Sequence, residues 1–334
     1  MLPREMKVPI NVKLTGPTSK LIKENYHHYG SQSLKNATMA YKHLLDTGGK
    51  MFVSMAGAMS TGRLGISLAK MIRKGYVSGL SVTGANLEED VFNLIAHDSY
   101  LQIPNYKDLT PEDDEKLAAK KINRVTDAAI PATAMKEVED IIIKDWKYAS
   151  RSKTRKFPHE FLTDILLAGK LEKYYQVDAS ESWMLAAAEM KIPIVTPGWE
   201  DSTLGNVFTS LVRDMEADYS VVKMGVEAMN YLADWYLKEK AEKGFFQIGG
   251  GIAGDFAICV VPFLRQDCKM GDKVKHWAYF CQCTNAMVEE GGYSGAEPSE
   301  KITWDKISKK TPAFVVKSDA SITVPLIFNS ILGE

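Results

Sequence analysis

The segment Glu297 to Ile307 reads Glu-Pro-Ser-Glu-Lys-Ile-Thr-Trp-Asp-Lys-Ile. It sets Lys306 two residues after Trp304, just past the glycine-rich turn Gly291-Gly292-Tyr293-Ser294-Gly295-Ala296. A lysine held beside an indole in a partly dry pocket can lose its proton near neutral pH. The neutral amine can then attack an imine or carbonyl and carry a Schiff-base intermediate. On spacing alone a solvated surface charge, the common state of lysine, is the plainer reading. The surroundings therefore have to decide.

Other clusters able to do chemistry fall at turns. Gly57, Gly62 and Gly65 lie between an apolar run and a helical pattern, where small residues let backbone approach a phosphate at a helix N-terminus. These three form no strict Gly-x-Gly-x-x-Gly, and a packing turn fits as well. Thr83-Gly84-Ala85 repeats the property after the next apolar run, and two such turns favour a bound dinucleotide more than one does. Asp201 can accept a bond from a ribose hydroxyl or cap the following helix. Gly249-Gly250-Gly251 costs backbone entropy and implies a close-approaching partner, with Asp255 following as a cap or polar contact. Ser318-Asp319-Ala320-Ser321 precedes the last helical pattern, Ile322 to Ile331, as cap or cofactor contact.

The elements that must hold these turns share one rhythm of short apolar run, small-residue turn and helix. Strands are predicted at Met51 to Met55, Val77 to Val82, Ile192 to Thr196, Phe245 to Ile248, Trp277 to Cys283 and Phe314 to Val316. Helices are predicted at Leu64 to Ile72 and Leu87 to Ala96. Strands separated by helices imply βαβ units, hence a Rossmann-like, mostly parallel α/β sheet flanked by helices, with ligand sites at the carboxyl ends of the strands. Ser220 to Lys243 reads as the clearest helix, closing at Gly244. The expected organisation is one large domain over residues 1–334. A charged, helical excursion around residues 105–160 has Pro111 as a first helical residue.

Composition narrows the classes. A formal net charge of −1 gives no global basic field for nucleic acid or a membrane surface, and Lys144 to Lys156 reads as a solvated face. Cys259, Cys268, Cys281 and Cys283 form no Cys-x-x-Cys and read as free thiols; no His-x-x-x-His is present, so no metal is expected. The N-terminal Met-Leu-Pro-Arg-Glu-Met-Lys lacks the apolar core of a signal peptide, and no window approaches a membrane span. A cytoplasmic location is expected.

Taken together the segments resemble the deoxyhypusine synthase family, in its bacterial deoxyhypusine synthase-like branch. The pieces are Thr83 to Asp90 (Thr-Gly-Ala-Asn-Leu-Glu-Glu-Asp), Ser182-Trp183-Met184-Leu185-Ala186-Ala187, Pro197-Gly198 with Asp201 to Gly205, the triple glycine, Ser294-Gly295-Ala296-x-Pro298, Trp304-Asp305-Lys306-Ile307 and Asp319-Ala320-Ser321. The resemblance implies a homotetramer with active sites at dimer interfaces. It implies NAD-dependent oxidation of spermidine, a butylimine held on Lys306, transfer to an acceptor amine, and reduction. NAD contacts would fall on Ser60, Thr83, Gly84, Ala85, Asp201, Asn285, Ala286, Asp319 and Ala320. Trp304 would line the aminobutyl channel, and Glu88, Glu89 and Glu300 would face the cationic polyamine.

The departures from the family pattern are specific. No histidine follows the triple glycine, and Asp255 is the residue placed to stand there. The acid expected after Leu204-Gly205 is Asn206, and the one expected before Ser294 is Tyr293. A rebuilt polyamine end beside an intact lysine favours a small polyamine acceptor, as in homospermidine synthesis from spermidine or putrescine. The alternatives are modification of a translation-factor lysine, and a homologue binding NAD or polyamine with different amine chemistry.

Overall fold

The computed structural model describes residues 12–334; the N-terminal stretch read above for a signal peptide lies outside them. Among the described residues nine strands form two sheets: β1 (Lys50–Met55), β2 (Gly79–Val82), β3 (Leu101–Gln102), β4 (Ile122–Val125), β5 (Ala128–Pro131), β6 (Ile194–Val195), β7 (Lys243–Ile248), β8 (Tyr279–Thr284) and β9 (Ala313–Lys317). The main sheet has the order β6-β2-β1-β7-β8-β9, and every pairing in it is parallel. Counted within that sheet, the order is 3-2-1-4-5-6, the Rossmann arrangement. The chain winds outward one way from β1 and the other way from β7. The crevice between their carboxyl ends is thus the switch point where such sheets bind ligands.

Strand alternation sorts the core into two faces. Met51, Val53, Met55, Phe246, Ile248, Tyr279, Cys281 and Cys283 share one cluster with the helices Tyr29–Asp46 and Ala320–Leu332. Phe52, Phe245 and Phe280 point the other way, each ring parallel to the next across neighbouring strands, with Trp277 packed on them. Both faces are covered, which is why the central strands read as unbroken apolar runs. All four cysteines are free thiols.

All six predicted main-sheet strands form, with no end shifted by more than two residues. The predicted helix Ser220 to Lys243 does not hold. The helix is Gly225–Lys238, Tyr219–Val221 is a separate 3-10 turn, and Lys243 and Gly244 already belong to β7. Gly244 is no helix stop. A Cβ there would lie 2.6 Å from Leu44 and 2.9 Å from Met51, so glycine lets the strand pack closely.

The excursion holds the small antiparallel sheet β3-β5-β4 and the helices Pro111–Ala119 and Lys136–Ser152. Pro111 opens its helix behind a Thr110–Asp113 capping box. The basic stretch after Lys144 is engaged in ion pairs: Lys147 with Glu216, Lys153 with Asp218, Arg155 with Glu227 and Lys156 with Asp164. Among the described residues no helix is long and apolar enough to cross a membrane.

Candidate active site

Because the main sheet is parallel, its carboxyl ends deliver the loops holding Ser60, Thr83, Asp201, the triple glycine, Asn285 and Asp319 to one edge. The triple glycine finds its close partner within the chain. A Cβ on Gly250 would lie 2.2 Å from the Ser294 hydroxyl, and Ser294 Oγ accepts a bond from Gly251 N at 3.0 Å. That contact docks the loop after β8 against the helix Gly251–Ile258, which carries Asp255.

Between them opens a cleft of about 450 Å³, lined by Asp255, Cys259, Tyr293, Lys301, Trp304 and Lys306 among others. Lys306 is buried and donates to Asp255 Oδ1 at 2.7 Å. Its nitrogen lies 4.9 Å from the centre of the Tyr293 ring and 5.9 Å from that of Trp304. A carboxylate and two ring faces thus hold one ammonium in a small apolar niche. Trp304 itself is 66% exposed, so the indole forms the mouth rather than the floor. The Tyr293 hydroxyl points away and donates to Gln247 Oε1. Burial pushes the Cys259 thiol up to about 11 despite the positive charge of Lys306, so it stays protonated and is no rival nucleophile at neutral pH.

Lys306 is held from behind. The helix Pro298–Thr303 starts with proline and a Glu297–Glu300 capping box, and the chain then turns through Asp305 in the left-handed region, at φ 58°. Asp305 accepts from Arg265 Nε at 2.7 Å, and His276 Nε2 sits 2.6 Å from its other oxygen. Burial opposes its ionisation, but these two partners outweigh burial and hold the carboxyl below its usual range. Asp305→Ala should therefore loosen the loop and leave alanine in a conformation costing about 1 kcal/mol. On the expectation that Lys306 carries the substrate, adduct formation there should slow roughly 10- to 100-fold, with Asp305→Gly slowing less because glycine accepts the backbone. Equal rates in quenched time courses for wild type and both variants would refute this positioning role.

The remaining candidate residues divide by location. Asp201, Asn206, Asn285 and Asp319 are exposed at the edge, and Gly84, Ala85, Ala286 and Ala320 lie with them. The Thr83 hydroxyl donates to Gly57 O and caps the helix Gly84–Ala96. Ser60 is buried, its Oγ accepting from Trp183 Nε1 at 3.0 Å. Glu88 is turned inward, accepting from Thr203 N and Leu204 N at 3.0 and 2.8 Å as a cap for the helix Thr203–Arg213. Glu89 accepts from the Tyr100 hydroxyl. Glu300 lines the cleft with its carboxylate on Glu297 N. Of the residues expected to meet the amine, this chain brings Asp255, Glu300 and Trp304 to Lys306; Glu88, Glu89 and Asn206 do not line that cleft. Nothing in the sequence marks Lys301, Arg265 or His276 as part of the site. Only three-dimensional proximity separates them from surface charges.

The profile of the family described as deoxyhypusine synthase matches residues 21–331, nearly the whole chain. The chain belongs to the deoxyhypusine synthase family. A deoxyhypusine synthase-like protein of Nostoc punctiforme is 29% identical, the match covering 94% of this chain and 79% of that one. A Sulfurisphaera tokodaii protein named "Probable deoxyhypusine synthase" is 26% identical over 93% of this chain and 91% of its own. A crystal structure of an Entamoeba histolytica chain assigned to deoxyhypusine synthase superposes with a TM-score of 0.57 at 13% identity, covering 94% of this chain and 92% of that one. This likeness supports the fold.

Deoxyhypusine synthases are NAD-dependent aminobutyl transferases, and that is the activity class of this member. Its strand-end edge fits the cofactor. The Thr196 hydroxyl at the end of β6 is buried with no partner, and Asp201, Asn285 and Asp319 stand exposed elsewhere along the same carboxyl edge of the sheet. Such groups offer the hydrogen bonds that ribose hydroxyls and an amide take up. No group of three metal-ligating side chains occurs among the described residues.

Proposed function

We propose that the protein moves the aminobutyl group of spermidine or putrescine through an imine on Lys306 to a small polyamine, giving homospermidine. The single observation that carries this reading is the cleft around Lys306: one buried lysine amine, a carboxyl partner at 2.7 Å, aromatic walls and an open mouth. NAD, bound at the strand-end edge through Ser60, Thr83 to Ala85, Asp201, Asn285, Ala286, Asp319 and Ala320, would accept and return the hydride. Lys306 supplies the nucleophile. Asp255 holds its nitrogen in place and stands where an amine's proton can be taken up, while Trp304 and Tyr293 flank the alkyl chain. Asn206 and Tyr293, where carboxylates are expected, leave fewer anions for a long polycation, which favours a short acceptor. The same reading takes the active assembly to be a homotetramer of single-domain chains working in the cytoplasm. The exposed Ile252, Met287 and Trp304 would be covered at the dimer interface.

Incubation with NAD, spermidine and putrescine, followed by borohydride trapping and peptide mass analysis, tests it. A butylamine adduct on Lys306 with free homospermidine is the expected result. An adduct without homospermidine would redirect the acceptor to a protein lysine. The absence of both products would overturn the reading.

A further inference from the structure

A second lysine faces the same cleft. Lys301 lies five residues before Lys306 on the helix Pro298–Thr303, and its side chain is 2% exposed. Buried lysines are ordinarily paired. Asp255 is committed to Lys306, and among the described residues no carboxylate lies within 4.0 Å of Lys301. Its nitrogen donates to Ala296 O at 2.9 Å and lies 4.9 Å from the Phe280 ring centre and 4.8 Å from that of Tyr293. Tyr293 is the ring that Lys306 also touches, so both amines meet one side chain in one cleft.

One carbonyl and two ring faces replace the hydration of an ammonium poorly. Burial foremost, then the positive charge of Lys306, lower the proton affinity of Lys301 to about 8; Glu300, Asp255 and Glu297 pull the other way without restoring it. The other titratable groups facing it, Tyr293 and Cys259, are held in their neutral forms by burial. A cleft that must admit a polycation gains from this, because a lysine that sheds its proton more readily repels the substrate less than a fixed second charge would. In its neutral form Lys301 carries a lone pair that can accept a proton.

We propose that Lys301 is the proton acceptor that frees the Lys306 amine for attack, an inference resting on the reading of Lys306 as the imine-forming lysine. The proton on Lys306 Nζ passes to the lone pair of Lys301 Nζ. Lys306 Nζ then forms a bond to the carbon of the protonated substrate imine. The substrate's carbon–nitrogen bond breaks, and the positive charge stays on the new Lys306 imine. The departing neutral amine takes its proton from Lys301, which returns to its starting form; nothing is oxidised or reduced in this step.

The test compares wild type, Lys301→Met and Lys301→Arg, following the rate of the borohydride-trapped Lys306 adduct with NAD and spermidine from pH 6 to 10. The wild-type rate should rise through a limb near pH 8. Both variants should be slower by roughly 10²-fold or more and lose that limb, because neither methionine nor a permanently charged guanidinium can take the proton. In protein labelled with ¹³C at lysine Cε, the Lys301 signal, assigned by its loss in Lys301→Met, should titrate near pH 8. A wild-type rate in Lys301→Arg, an unchanged limb in Lys301→Met, or titration above pH 10 would overturn the proposal while leaving Lys306 as carrier. No adduct in the wild type would instead overturn the reading on which it rests.

Discussion

Lys306→Met should remain folded, yield no borohydride-stable adduct and turn over roughly 10³-fold or more slower than wild type. The effect is large because the cleft offers no ready substitute. The Cys259 thiol stays protonated, and burial holds the Tyr293 phenol well above its ordinary range. Folding is spared because the substitution removes a desolvated ammonium while its partner survives in water. The Asp255 side chain is 47% exposed and can rehydrate, so the net change should stay within about 1 kcal/mol. Peptide mapping after trapping reads the chemistry, and a urea melt reads the fold. An adduct found instead on the Lys301 peptide would shift the carrier role to that residue. An unchanged turnover would end the covalent reading.

The sequence showed this fold because its parallel strands are buried on both faces and their carboxyl ends carry small residues. Runs such as Met51 to Met55 are unmistakable for that reason. Lys306 was legible through its place after Trp304. Side-chain direction was not legible. Glu88, Glu89 and Asp90 are adjacent in sequence, yet Glu88 caps one helix, Asp90 another, and Glu89 meets Tyr100. Spacing on a helix fixes a side chain's bearing, but which neighbouring helix arrives there depends on tertiary packing. Gly244 misled for a related reason: a glycine after charged residues looks like a helix end, while its cause is the Leu44 side chain, distant in sequence. Lys301 is not legible in the sequence because burial without a partner is visible only when Phe280 and Tyr293 are in place.

The largest loss of stability should come from Asp90→Ala, at about 3 kcal/mol near pH 7. The carboxylate is buried and accepts from Ser182 Oγ at 2.5 Å, Trp183 N at 3.3 Å and Met184 N at 3.1 Å, closing the N-terminus of the helix Trp183–Glu189. Alanine leaves these donors buried without that acceptor, at about 1–3 kcal/mol for each that water cannot reach. Burial raises the Asp90 carboxyl to about 6, outweighing the three hydrogen bonds that lower it. The folded state thus binds a proton that the unfolded chain, titrating near 3.9, has already released. The stability from that proton is complete below pH 4 and is lost as pH rises through 6. The Asp90→Ala penalty should accordingly be greater at pH 4.5 than at pH 7, when urea unfolding is compared at the two. A penalty that grew from pH 4.5 to pH 7 would mean the carboxyl is stabilised in its charged form, contrary to this account. The damage should also reach the cofactor edge. Trp183 donates to Ser60 Oγ, and Ser60 N donates to Asn86 Oδ1, so the helix start that Asp90 fixes also fixes the loop after β1. Weaker NAD binding in Asp90→Ala, with Lys306 untouched, is the corresponding functional result.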